Sequence, residues 1–178
     1  RQMCIRDRLA NRTVAEHIGK VPKNKKAKVF PYRIHDLPDP DKLDNLSQFI
    51  ARFGYKIRTG GSKVEVSKSI NRLLSDIDGK KEQNLIETVS LRAMQKARYS
   101  IYNIGHYGLA FDYYTHFTSP IRRYPDLAIH RILTDMLVGK PEQELIKDYT
   151  GFATHASEQS SRQEVSAVRI ERDVEDLY

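Results

Sequence analysis

Along most of the chain, apolar residues recur every three or four positions, and a sustained period of two appears only from Ile104 to Thr118. That pattern restricts the chain to a mixed α/β architecture dominated by helices, packed on a few short strands. Residues 9–18 (LANRTVAEHI) read as a short helix with Ala10, Val14, Ala15 and Ile18 on one face and Gly19 closing it. Phe30–His35 is a short extended run. Leu43, Leu46, Phe49, Ile50 and Phe53 then line one helical face, with Asp39 or Asp41 able to cap the start and Gly54 after the end. Tyr55–Ile57 reads as a brief strand. Ser62 and Glu65 have capping-box spacing and open a helix with Val66, Ile70, Leu73, Leu74 and Ile77 inside. A further helix, burying Leu85, Ile86, Val89, Ala93 and Ala97, is predicted from about Glu82 to Tyr99. In the period-two stretch, Phe111, Tyr113, Thr115 and Phe117 share one strand face, opposite Asp112, Tyr114, His116 and Thr118. Ser119-Pro120 opens a helix to Val138, ended by Gly139 and Pro141. From Glu142 the chain reads as helical and polar to its end.

The 178 residues are the size of one domain, and 39% hydrophobic content is enough to form a core. No apolar run has the length of a membrane span, and nothing resembles a signal peptide. A single cysteine, Cys4, excludes a disulfide framework and a thiolate zinc site, which suits a cytoplasmic protein. The net charge of +7 is local: residues 1–28 hold nine basic and two acidic side chains, while the remainder balances. The Lys20–Lys28 segment is either a solvated loop or a phosphate-attracting stripe without sequence preference.

Chemistry concentrates in residues 113–131, YYTHFTSPIRRYPDLAIHR. Ser119 suits an N-cap and Pro120 the first helical position. Arg122 would then lie in the first turn, beside free amides at the positive end of the helix dipole, where acids are normally preferred. A guanidinium there makes sense if an anion occupies the helix start, and a planar fork grips two phosphate oxygens. Ile121, Tyr124, Ala128 and Ile132 form the expected buried stripe, extended by Leu133 and Met136. Asp126 can orient Arg122 or pair with Arg123, and a salt-bridged surface helix is the competing reading. Tyr114, on the open strand face, is the better stacking platform for bases, with Tyr113 in the core. His116 and His130 read as hydrogen-bonded structural residues.

The run HYGLAFDYYTHFTSPIRRYPDLAIHRIL resembles the signature of the ribonuclease II and ribonuclease R family, the RNB-domain exoribonucleases. LANRTVAEH, YRIHDLPDP, GYKIRTGG and IERDVE are similar to other blocks of that family, in the family's order. The resemblance covers residues 9–178 and implies the C-terminal part of the catalytic domain, truncated at both ends. It implies a processive hydrolase that uses Mg²⁺ to remove nucleoside 5′-monophosphates from the 3′ end of single-stranded RNA. The family's phosphate-contacting arginine falls on Arg122 and its base-contacting glutamate on Glu171. Ser119, Arg123 and Tyr124 belong to the same motif and are expected to position the helix start or the RNA backbone.

The departures are specific. The family's metal-binding aspartate run, D-x₅-D-x-D-D, is missing, so no metal ligand is assigned and Mg²⁺ is expected to be held by residues outside this chain. Asp36, Asp39, Asp41 and Asp44 are the densest acidic cluster, but the prolines among them indicate turn and capping duties. The fragment alone is therefore expected to be inactive. Residues 1–8 (RQMCIRDR) match no family block and read as a foreign segment. The TGGSK of 59–63 lacks phosphate-loop spacing, and no two histidines stand four apart. The reading from another class is a non-catalytic basic RNA-binding or ribosome-associated module.

Overall fold

Tyr32, Arg33 and Ile34 form strand β1, with the first and last buried and the arginine between them directed the opposite way. In the computed structural model, which describes residues 2–22 and 28–175, β1 pairs antiparallel with β2 (Arg98–Ser100), Arg33 opposite Tyr99. Six α-helices accompany this ribbon among the described residues: α1 (Gln2–Gly19), α2 (Pro40–Ala51), α3 (Lys63–Asp76), α4 (Gln83–Ala93), α5 (Tyr124–Leu137) and α6 (Glu142–Glu175). The helix-dominated mixed fold expected from periodicity is thus present. Most of the lysine stripe, residues 23–27, lies outside the described residues.

The chain divides into two units. The first comprises Arg1–Ile34, Arg98–His106 and Phe111–Tyr178. Its core joins Ala15 and Ile18 of α1, Phe30, Tyr32 and Ile34 of the β1 region, and Ile129 and Ile132 of α5. Gly19 permits this closure, because a Cβ there would stand 2.5 Å from the Tyr32 hydroxyl oxygen. The second unit comprises His35–Ala97 and Tyr107–Ala110. There α2, α3 and α4 bury Leu43, Leu46, Ile50, Val66, Ile70, Leu73, Ile77, Ile86 and Ala93 against one another. Asp39 caps α2 through the Asp41 amide (3.1 Å), and Asp36 accepts from the Leu37 amide (2.8 Å). Ser62 and Glu65 form the expected capping box.

Several boundaries differ from the sequence reading. Helix α1 starts at Gln2, so seven more residues continue the LANRTVAEHI helix; Ile5 and Leu9 are exposed, which leaves propensity rather than burial to explain this extension. Tyr55–Ile57 is not a strand. The helix expected to reach Tyr99 stops at Ala93, because pairing residues 98–100 with β1 buries Tyr99, and Leu85 is half exposed. The period-two stretch makes only an isolated bridge, His106 to Phe111. Its extended part borders β1 through one backbone bond, Arg33 N–H to Tyr114 O (2.9 Å), and through the Thr115 hydroxyl donating to Pro31 O (2.6 Å). Asn11 replaces the rest of a ladder: its Oδ1 accepts the Phe117 amide (2.8 Å) and its Nδ2 donates to the Tyr114 hydroxyl (3.2 Å).

Helix α6 is 34 residues long, about 50 Å at the usual rise. It packs on α5 and β2 through Leu145, Ala153, Ala156 and Ser157, and Ser161 Oγ accepts the Tyr99 amide at 2.9 Å. From Val165 to Glu175 every residue is exposed.

Candidate nucleic-acid interface

Ser119-Pro120 does not open a helix. The Ser119 carbonyl accepts the amides of Arg122 (3.3 Å) and Arg123 (3.1 Å), closing a turn, and α5 begins at Tyr124 with Arg123 at its cap. Pro125 explains the shift. In a helix begun at Pro120 it would be an interior residue, with no N–H for the Ile121 carbonyl and its ring pressed against that oxygen. It occupies the first turn of α5 instead, where a missing donor costs nothing. The expected cradle of unpaired amides is therefore not formed at Ser119, since two of those amides are engaged by its own carbonyl. Ile121 and Tyr124 leave the predicted buried stripe, the first fully and the second substantially exposed, whereas Ala128 and Ile132 are buried as expected.

The turn places two guanidiniums side by side in different circumstances. Arg123 donates Nε (3.1 Å) and Nη2 (2.8 Å) to Asp126 Oδ2, which also accepts the Ser119 amide at 2.9 Å. Asp126 is fully buried. The Arg122 guanidinium is exposed and has no hydrogen-bond or ionic partner among the described residues. Of the two pairings the sequence left open for Asp126, the one with Arg123 is realised, inside the protein rather than on its surface.

Both arginines line an open cleft of about 580 Å³ with Tyr99, Tyr124, Pro125 and one face of α6: Gln159, Ser160, Gln163, Glu164 and Ala167. A third arginine, Arg33, joins the cluster: it bonds Glu164 at 2.6 Å and lies over the Tyr99 ring at 4.6 Å. The Tyr99 hydroxyl meets His116 Nδ1 at 2.8 Å. Burial, reinforced by the charges of Arg123, Arg33, His106 and Arg122, lowers the His116 pKa to about 3. The ring is therefore neutral. Burial likewise raises the Tyr99 pKa to about 12, so the phenol keeps its proton, and one hydrogen joins the two groups. Tyr124 is partly exposed, its ring edge-to-face with Phe152 at 5.8 Å, which presents it to the cleft in a fixed orientation. His130 is structural as expected, donating Nε2–H to Phe117 O (3.0 Å) and stacking on that ring.

Two expected site residues fall elsewhere. Tyr114 is buried, packed against His106, Phe111 and His116, and so is not on an open face, whereas Tyr113 packs partly buried against the core and Thr115 is fully buried, as expected. The Tyr114 side chain follows the hydrogen bond from Asn11 rather than strand alternation, because no ladder imposes that alternation. Glu171 lies on α6 one turn beyond Ala167, exposed and outside the cleft lining. The sequence reading missed Arg33, Tyr99, Gln159, Gln163 and Glu164. Arg33 had a signal: an arginine between two inward residues of an extended run points to the other face. Gln159, Gln163 and Ala167 also share helical spacing. Among the described residues, no group of three or more His, Cys, Asp or Glu side chains is placed to hold a metal ion, so the implied Mg²⁺ does not fit this set.

The SPIRRY turn thus sets Arg122 and Arg123 into the wall of an open cleft, beside Tyr99 and Tyr124. The chain belongs to the RNB family, whose domain matches residues 7–139. It is similar to ribonuclease R 1 of Lactococcus lactis subsp. lactis (strain IL1403), at 39% identity over 168 residues, covering 94% of this chain and 20% of that protein. It is similar to ribonuclease R of Aquifex aeolicus (strain VF5), at 41% identity over 133 residues, covering 74% and 18%. Among solved structures, the apo form of Mycoplasma genitalium RNase R superposes with a TM-score of 0.83 at 26% identity, covering 98% of this chain and 27% of that one. The same enzyme in complex with ribose methylated single-stranded RNA gives 0.83 at 25% identity, with the same coverage. The chain thus spans about a fifth of the length of the curated relatives it matches.

Proposed function

We propose that this chain is the phosphate-holding part of a 3′→5′ exoribonuclease that releases nucleoside 5′-monophosphates from single-stranded RNA. The observation that carries the reading is Arg122: an unpartnered guanidinium in an open cleft whose other lining arginine, Arg123, is compensated by Asp126, as the neighbouring Arg33 is by Glu164. Arg122 donates to non-bridging oxygens of the scissile phosphodiester and stabilises the charge that builds there. A guanidinium stays protonated at any working pH, so it transfers no proton. Ser119 closes the turn behind it, Arg123 supplies the free edge of its fork, and Tyr124 offers a ring to the adjoining nucleotide. Glu171 contacts a base further along α6. Tyr114, being buried, has no part in binding.

Mg²⁺ would activate water and neutralise the phosphate in such a reaction. We place it on carboxylates outside this chain, because Asp36 and Asp39 are engaged with backbone amides and no other described cluster converges. The chain alone is then expected to bind RNA without cutting it. In the parent enzyme, Arg122→Ala is expected to abolish most turnover, in line with the loss of about 3 to 4 kcal/mol typical when one preorganised charge-stabilising donor is removed. Near-normal degradation by a folded Arg122→Ala enzyme would refute the assignment.

A further inference from the structure

One carboxylate oxygen holds both ends of the turn that carries Arg122. Asp126 Oδ2 receives the Ser119 amide from the start of the turn and two N–H groups of Arg123 from its end. The side chain is fully buried, and its Oδ1 is enclosed without a partner among the described residues. Burying a carboxylate with one oxygen unpaired is costly, and an apolar side chain would fill the space without that cost. Stability alone therefore does not explain an acid at this position.

The arginine turn does explain it. Arg122 has no side-chain partner, so its aim depends on the backbone that carries it. The internal bonds of that turn, from Arg122 and Arg123 to Ser119 O, are 3.3 and 3.1 Å long. The shorter contacts at its two ends run to Asp126. The same carboxylate offsets the charge of Arg123, which allows a second guanidinium to stand next to it.

The geometry points to Asp126 as a positioning residue: it clamps the 119–123 turn onto α5, so that Arg122 faces the cleft before a phosphate arrives. It touches no ligand itself. This inference rests on the phosphate-holding reading of Arg122.

Binding of a short fluorescent oligouridylate is measured for the full chain, for Asp126→Asn, for Arg122→Ala and for the double variant, with circular dichroism and a melting curve for each. Asparagine keeps the size and one acceptor but removes the charge. Asp126→Asn is expected to weaken binding by about fivefold to tenfold in the natural background and by less than about twofold once Arg122 is gone, as coupled residues behave. A merely structural acid would lower the melting midpoint while the two binding losses multiply. Multiplying losses, or unchanged affinity in a folded Asp126→Asn protein, would overturn the inference. Should Asp126→Asn not fold, Arg123→Gln opens the clamp from its part-exposed end and is read in the same cycle. No binding by the unaltered chain would overturn the phosphate-holding reading itself, and this inference with it.

Discussion

Replacing Arg122 with alanine should remove one counterion's worth of salt dependence from RNA binding, and replacing Arg33 should remove almost none. Arg122 and Arg123 line the cleft and Arg33 lies against its Glu164 and Tyr99, but Arg33 is paired with Glu164 and Arg123 with Asp126. Only Arg122 is free to displace a condensed cation when a phosphate docks. For single strands each neutralised phosphate contributes about −0.7 to the slope of log K against log salt, so Arg122→Ala should flatten that slope by about 0.7. Between about 50 and about 200 mM KCl this amounts to roughly a 2.5-fold smaller loss of affinity. Arg122→Lys should keep the slope but bind less tightly, because an ammonium cannot grip two oxygens at once. Fluorescence anisotropy with a labelled oligouridylate across a KCl series reads all three variants. If Arg122→Ala retains the natural slope, or Arg33→Ala flattens it as much, the charge assignment in the cleft is wrong.

Tyr114→Phe should cost about 1 to 2 kcal/mol in urea unfolding, since it strands the buried Asn11 amide, and should leave RNA affinity unchanged. Ile129→Ala, in the core of the first unit, should cost about 2 to 5 kcal/mol by the same measurement. His116 has a native pKa of about 3 against an ordinary 6.5, so the unfolded chain binds its proton first as pH falls. Stability from this group is complete above pH 6.5 and is lost toward pH 3, at up to about 1.4 kcal/mol per pH unit. Urea titrations at several pH values should show that slope in the natural protein and a shallower one in His116→Gln.

Helices α2 and α3 of the second unit were legible because each carries its own punctuation, whereas α4, without a side-chain cap, was read past its end. Asp39, Gly54, the Ser62–Glu65 box and Gly79 mark ends through local bonds and turns, and the apolar faces between them pack on one another. The first unit was harder because its signals compete. Ser119-Pro120 was read as the helix start without weighing Pro125, whose penalty as an interior proline moves the start to Tyr124. Tyr113 and Tyr114 were assigned from strand alternation, a rule that holds only where a ladder fixes the pleat. Residues 98–100 were helical by extension from Ile86 and became a strand through pairing with a segment more than sixty positions away. The family signature singled out Arg122, but the wall it faces is built by α6, whose Gln159, Gln163 and Glu164 stand out only after folding.

The neutral imidazole of His116 and the high-pKa phenol of Tyr99 are joined by a proton that neither surrenders near neutrality. If this wall holds phosphate as proposed, these two groups and the permanently cationic arginines would give it a grip that acidification or alkalinisation within the cellular range does not loosen. A strand passing along it in the parent enzyme would then meet the same charge whatever the pH within that range.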